Sequence, residues 1–192
     1  VRPSDTLIII ICPSVFNPFY TTIIQGIEIV ARKQGFVTSV RTTYWDTDTE
    51  KFIMEQARKF NVAGVIFAMI PQQPQLAYNL SKYLPVVAIG DRRSDLELAT
   101  VDMNNFTAGQ LIGKHLMDLG HKQVAYLSTT LNDQHTSRVR RYQGLEAACQ
   151  EADAKLALFT KEITPDYELS HVDVEYSTGY ELAKRCLEAA PE

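Results

Sequence analysis

The sequence predicts an α/β protein built from doubly wound parallel sheets, and three observations carry that prediction. Residues 6–12 form an apolar run without alternation and residues 62–69 form another. A strand that is apolar on both faces must be covered on both, as in the middle of a parallel sheet. Between such runs lie segments whose apolar residues recur at helical spacing, joined by short connections. After Gly120 the same strand–helix order restarts, so the chain holds one such sheet and the beginning of a second.

Residues 6–25 organise the first half. The opening strand stops at Cys12-Pro13-Ser14, and Asn17-Pro18-Phe19-Tyr20 opens a helix over 18–34, where Pro18 suits a first turn that has no use for its missing N–H. Ile23, Ile24, Ile27, Val30 and Ala31 form that helix's stripe, and Gly35 ends it. A second strand spans 36–41. Asp46 to Thr49 supply N-cap residues for a helix reaching Phe60, with Phe52, Ile53, Gln56, Ala57 and Phe60 as its stripe. Residues 71–83 read as a loop and short helix, and 85–89 as an apolar strand ending at Gly90-Asp91-Arg92. Residues 99–103 continue the sheet. The segment 105–119 is a long helix with Leu111, Ile112, His115, Leu116 and Leu119 on one side, closed by Gly120. The second half then offers a strand at 124–128, a polar loop at 129–136, a helix at 137–152 with Ser137 as cap and a strand at 155–163. A loop at 164–173 and a helix at 177–189 follow, the helix turning Tyr180, Leu182, Ala183, Cys186 and Leu187 inward. A strand is the next element in this alternation, so the second sheet is expected to be incomplete in this chain.

At 192 residues and 45% hydrophobic content the chain can bury one sizeable core or two small ones. A net charge of −4 argues against a basic face that grips phosphates. Cys12, Cys149 and Cys186 are odd in number and widely spaced, which fits a reducing compartment rather than a disulfide framework. No stretch reaches the apolar length of a membrane span, and residues 1–5 read as the stub of a linker. No GxGxxG or GxxxxGK[ST] loop, no metal-spaced histidine pair and no nucleophile elbow is present, so an enzyme lacks its catalytic set and no cofactor is implied.

What recurs is a polar or aromatic residue at successive strand ends: Ser14, Phe16, Asn17, Phe19 and Tyr20, then Met69, then Asp91-Arg92, then Asn104-Asn105. Right-handed crossovers put these ends on one rim, where open α/β sheets bind their ligands. On a neutral polyol, a carboxylate such as Asp91 accepts hydroxyl protons, Arg92 donates from a fixed fork, and aromatic faces cover the apolar ring faces. Each residue also has a plainer reading. Asp91-Arg92-Arg93 is equally a solvated turn, Asn104-Asn105 a helix cap, and one of Phe19 and Tyr20, Phe19 first, is expected in the core. His115 reads as a core histidine or a partner contact, and Tyr44-Trp45 as a contact surface or a pair folded back on the sheet. Arg138, Arg140 and Arg141 lie near a helix start, where cations are unfavourable. They are either solvated or aimed at an anionic or hydroxylated ligand, and Gly144 lets that helix approach something closely.

Taken in order, Asn17-Pro18-Phe19-Tyr20 with Gly26-Ile27-Glu28, Asp91-Arg92, Val101 through Gly109, Leu119 through Ala125, Arg141-x-x-Gly144 and Gly179-Tyr180 resemble the ligand-binding domain of the lactose-repressor (LacI/GalR) family of bacterial transcription regulators. That domain is itself similar to type I periplasmic sugar-binding proteins. The resemblance covers almost the whole chain and implies two doubly wound subdomains, 6–116 and a partial 117–192, with a ligand in the cleft between them. It implies effector contacts from Ser14, Phe19, Tyr20, Met69, Asp91 and Arg92, a clamp from Arg141, and a further contact from His135. Asn104 stands where an Asp-Asn pair is usual, which removes a charge. Met69 offers an apolar surface, and the family's next pocket aspartate would follow the last residue here.

The function so implied is the effector-binding and dimerisation core of a cytoplasmic repressor or activator. A sugar or nucleoside-like molecule controls DNA binding by an N-terminal helix-turn-helix domain that this chain does not contain. Its partner is a second copy of itself, near the helix 18–34, and no membrane is involved. A solute-binding protein of a sugar transporter is the alternative, and a sugar- or nucleotide-modifying enzyme is a more distant one.

Overall fold

The computed structural model describes residues 6–90, 97–132 and 136–189 and divides into two compact units, Val1–Asp102 and Met103–Glu192.

The first unit carries β1 (Leu7–Cys12), α1 (Pro18–Lys33), β2 (Val37–Thr42), α2 (Thr47–Phe60), β3 (Gly64–Phe67), α3 (Pro74–Ser81), β4 (Val86–Ile89) and β5 (Ala99–Val101). All five strands are parallel, in the order β2-β1-β3-β4-β5. Both faces of β1 are used, as its unbroken apolar run requires. Ile9 and Ile11 pack with Ile53, Met54 and Ala57 of α2 and Ala77 and Leu80 of α3. Ile10 and Cys12 pack with Tyr20 and Ile24 of α1. The alternation of one strand's side chains between two helical layers is the doubly wound arrangement expected from the sequence.

Capping sets the helix limits. The Asn17 side chain accepts from Phe19 N at 2.9 Å with Pro18 in the first turn, and Gly35, at φ 79°, turns the chain so that Phe36 N reaches Ala31 O at 2.9 Å. Asp46 caps α2 by accepting from Asp48 N and Thr49 N, and those two N–H groups hold its carboxyl below the usual range. The inward stripe of α2 is Glu50, Ile53, Met54 and Ala57, while Phe52 and Phe60, expected inward, are exposed.

The second unit carries α4 (Asn105–Asp118), β6 (Gln123–Thr129), α5 (Thr136–Glu151), β7 (Lys155–Lys161), α6 (Pro165–Ser170) and α7 (Val174–Ala189). β6 and β7 pair in parallel, and no residue of either strand is fully buried. α6 occupies the segment expected to be loop, and α7 begins three residues before the expected start. Leu182 of α7 is buried, but Tyr180 and Leu187, expected inward, are exposed.

α4 departs furthest from expectation. Leu111, Ile112, His115 and Leu119 are exposed, and the buried face is Asn105, Gly109 and Gly113. That face lies on α5: a Cβ at Gly109 would overlap the Arg141 carbonyl oxygen, and a Cβ at Gly144 would overlap the Phe106 carbonyl oxygen. A helix that meets its neighbour backbone to backbone needs small residues where an apolar stripe was expected. This packing puts α4 in the second unit, and the chain divides after Asp102, whereas the expected boundary after residue 116 kept α4 with the first.

Candidate functional site

Because all strands of the first unit are parallel, the segments after β1, β2 and β3 leave from one rim. Backbone bonds tie them together: Thr43 N donates to Cys12 O at 3.0 Å and Tyr44 N to Pro13 O at 2.8 Å. Ser14 is buried there, and its Oγ accepts from Phe16 N at 3.1 Å, which shapes the loop that leads to Phe19. The two aromatics exchange their expected places. Tyr20 is 9% exposed and belongs to the α1 core, while Phe19 is 54% exposed and meets the Tyr20 ring edge-on at 5.2 Å. Met69 is buried among Ile9, Phe67 and Leu98, so its side chain lies in the core and not on the rim surface. Trp45 folds back onto both core clusters, with Tyr44 and Trp45 at φ 48° and 63°. Asp91, Arg92 and His135 lie outside the described residues.

A residue not singled out from the sequence organises this rim. Glu50 is buried in the first turn of α2, and its carboxylate accepts from Gln72 N at 3.2 Å and Gln73 N at 3.0 Å. It thereby holds the segment between Met69 and α3. Burial pushes its carboxyl up against the opposing pull of those two N–H groups. The signal was in the spacing: Glu50, Ile53, Met54 and Ala57 stand at i, i+3, i+4 and i+7, so a glutamate interrupts the apolar stripe itself.

In the second unit the three arginines near the start of α5 take three different partners. Arg138 lies 4.0 Å from Glu175, and its carbonyl accepts from the Tyr126 hydroxyl at 3.2 Å. Arg140 lies over the Phe106 ring at 5.1 Å and reaches Gln143 at 3.4 Å. Arg141 Nη1 donates to Asn105 Oδ1 at 2.5 Å. Among the described residues Arg141 has no carboxylate partner. Asn104 is exposed and caps α4 by accepting from Thr107 N at 3.0 Å, the plainer of its two readings. A shallow recess at the ends of β6 and β7 is lined by Thr129, Thr130, Arg138, Ile163, Val174 and Glu175.

The remaining chemistry is sparse. Burial pushes the Cys12 thiol up to about 11, so it is protonated at neutral pH and is no nucleophile. No helix among the described residues is long and apolar enough to cross a membrane. The exposed donors, the capped loops and the Arg141 guanidinium, bound to an amide and to no carboxylate among the described residues, suit recognition of a small polar molecule by hydrogen bonds.

Comparison with known proteins agrees with the fold. Residues 5–192 match the family model of periplasmic binding proteins and the sugar binding domain of the LacI family. The HTH-type transcriptional repressor PurR of Mannheimia succiniciproducens is 32% identical over 89% of this chain and 49% of its own length. The chain thus spans about half the length of the curated relatives it matches. Two solved structures share the fold. A LacI family transcriptional regulator from Enterococcus faecium with bound ribose has a TM-score of 0.73 at 24% identity, over 96% of this chain and 64% of that one. A periplasmic binding protein/LacI transcriptional regulator from Alkaliphilus metalliredigens complexed with D-xylulofuranose has a TM-score of 0.75 at 20% identity, over 97% and 74%. This chain belongs to the family of periplasmic binding proteins and LacI-type sugar-binding domains.

Proposed function

We propose that the chain is the effector-binding part of a cytoplasmic LacI/GalR-type transcriptional regulator, taking up a sugar or nucleoside-like molecule and controlling DNA binding by a helix-turn-helix segment outside this sequence. The observation that carries this reading is the likeness to a repressor along 89% of the chain at 32% identity, which favours a regulator over the solute-binding protein of a transporter. The site geometry supports it. Arg141 is fixed by an amide, keeps N–H groups for ligand hydroxyls or anionic groups, and has no carboxylate neutralising it among the described residues. Ser14, Phe19 and the rim that Glu50 braces supply contacts from the first unit, with Asp91, Arg92 and His135 as further contacts. Buried Tyr20 and Met69 shape that rim from beneath, and Asn104 contributes through the cap it makes.

The acting form is a homodimer. Ile29, Val30, Phe36 and Val37 are exposed on and beside α1, an apolar surface that supports a partner copy at that helix. Regulation follows from differential binding: a ligand that prefers one conformational state of the dimer shifts its population, and a ligand indifferent to the two states regulates nothing. The test is a thermal-shift screen of pentoses, nucleosides and purines on the full-length regulator, followed by operator binding with and without the hit. The reading expects at least one compound to raise the midpoint in wild type and to change operator affinity. Failure of every compound, or a hit with no effect on DNA binding, contradicts it.

A further inference from the structure

We infer that Asn105 is the positioning residue of Arg141: it fixes the guanidinium for the effector through a neutral group, with no carboxylate paired to it among the described residues. The inference rests on the reading of Arg141 as an effector contact, and four features of the second unit carry it. First, Asn105 is 1% exposed and sits in the opening turn of α4, so its amide has one environment. Second, its Nδ2 donates to Met103 O at 3.0 Å, which fixes the rotamer and turns Oδ1 toward Arg141. Third, Arg141 Nη1 reaches that oxygen at 2.5 Å. Fourth, α4 and α5 are locked at this level by the facing Gly109 and Gly144, where a Cβ on either helix would overlap the other's backbone. The spacing of the two backbones that carry donor and acceptor is therefore set by main-chain contact.

The partner's neutrality matters as much as its place. An aspartate at 105 would hold the same fork more strongly but would neutralise it, and an ion pair surrenders much of the guanidinium's attraction for a ligand oxygen. An amide spends one donor and leaves the rest charged.

The experiment needs no ligand, so its outcome is independent of whether an effector is found. In the chain labelled with ¹⁵N-arginine, the Arg141 Nη signals are assigned by their loss in Arg141→Lys. Restricted rotation in the wild type, and Nη–H exchange at least tenfold faster in Asn105→Leu, which keeps the branch of the side chain and removes its polar atoms, are expected, with the Gly109 and Gly144 backbone amides unmoved. Unchanged exchange in Asn105→Leu overturns the proposal. Asn105→Asp covers the case in which the leucine variant does not fold: its Arg141 Nη shifts are expected to follow the titration of the new carboxylate, and shifts that stay constant through it overturn the proposal.

Discussion

The two units solve the same packing problem by opposite means. In the first, helices lie on a five-stranded sheet through branched and aromatic side chains, with Phe67, Ile10, Ile11 and Val65 fully buried. In the second, the closest association is between two helices, and the contact joins glycines, an asparagine and an arginine with the side chains of Leu145 and Ala148. α2 buries Ile53, Met54 and Ala57 and gains from the transfer of apolar area. α4 leaves Leu111, Ile112 and Leu119 exposed and gains from backbone proximity and a charged hydrogen bond. Burial builds a scaffold in the first unit, whereas close approach of two helices in the second brings Arg141 within reach of a buried amide.

The comparison is broken or sharpened by substitutions of decreasing effect. Phe67→Ala in the first core is expected to cost about 3–5 kcal/mol in urea unfolding, because its volume cannot be refilled. Gly109→Ala in the second unit is expected to cost about 1–3 kcal/mol or more, although helix propensity alone favours alanine by about 1 kcal/mol. A neutral Gly109→Ala would mean that α4 and α5 do not meet backbone to backbone. Gly26→Ala, in a helix position with nothing near its Cβ, is expected to stabilise by about 0.4–1 kcal/mol. Leu111→Gln on the exposed face of α4 is expected to stay within about 0.5 kcal/mol of wild type.

Glu50 adds a pH dependence confined to the first unit. Its folded carboxyl titrates above the usual value of 4.5, so the folded state retains the proton longer than the unfolded chain does. The stability it contributes is present below pH 4.5 and is lost as the pH rises through the folded value. Urea midpoints of Glu50→Gln relative to wild type should therefore shift in the variant's favour from pH 4 toward neutrality. A constant difference across that range contradicts the assignment.

Much of the first unit is legible in the sequence because its signals are local. An apolar run of six residues, an Asn-Pro start and a glycine stop mark β1 and α1 without any knowledge of the partner elements. The α4–α5 contact is not local. An apolar stripe and a glycine stripe both run along α4, and only the position of α5 decides which faces inward. Gly144 did announce a close approach, but it did not name Asn105, whose hydrogen bond depends on a neighbour 36 residues away in the chain. The exchange of Phe19 and Tyr20 has a similar origin. Both fit a first helical turn, and which ring enters the core depends on how α1 lies against Ile10 and Cys12.

The most direct measurement is a calorimetric titration of wild type and Arg141→Ala with the compound that stabilises the wild type. Losing charge-assisted hydrogen bonds worth about 1.5–3 kcal/mol predicts affinity on the order of 10- to 100-fold weaker, while the free variant stays folded but loses about 1–3 kcal/mol of stability because the buried Asn105 oxygen loses its donor. Equal affinity in the two proteins would show that Arg141 does not hold the effector, and the account of this site would fail.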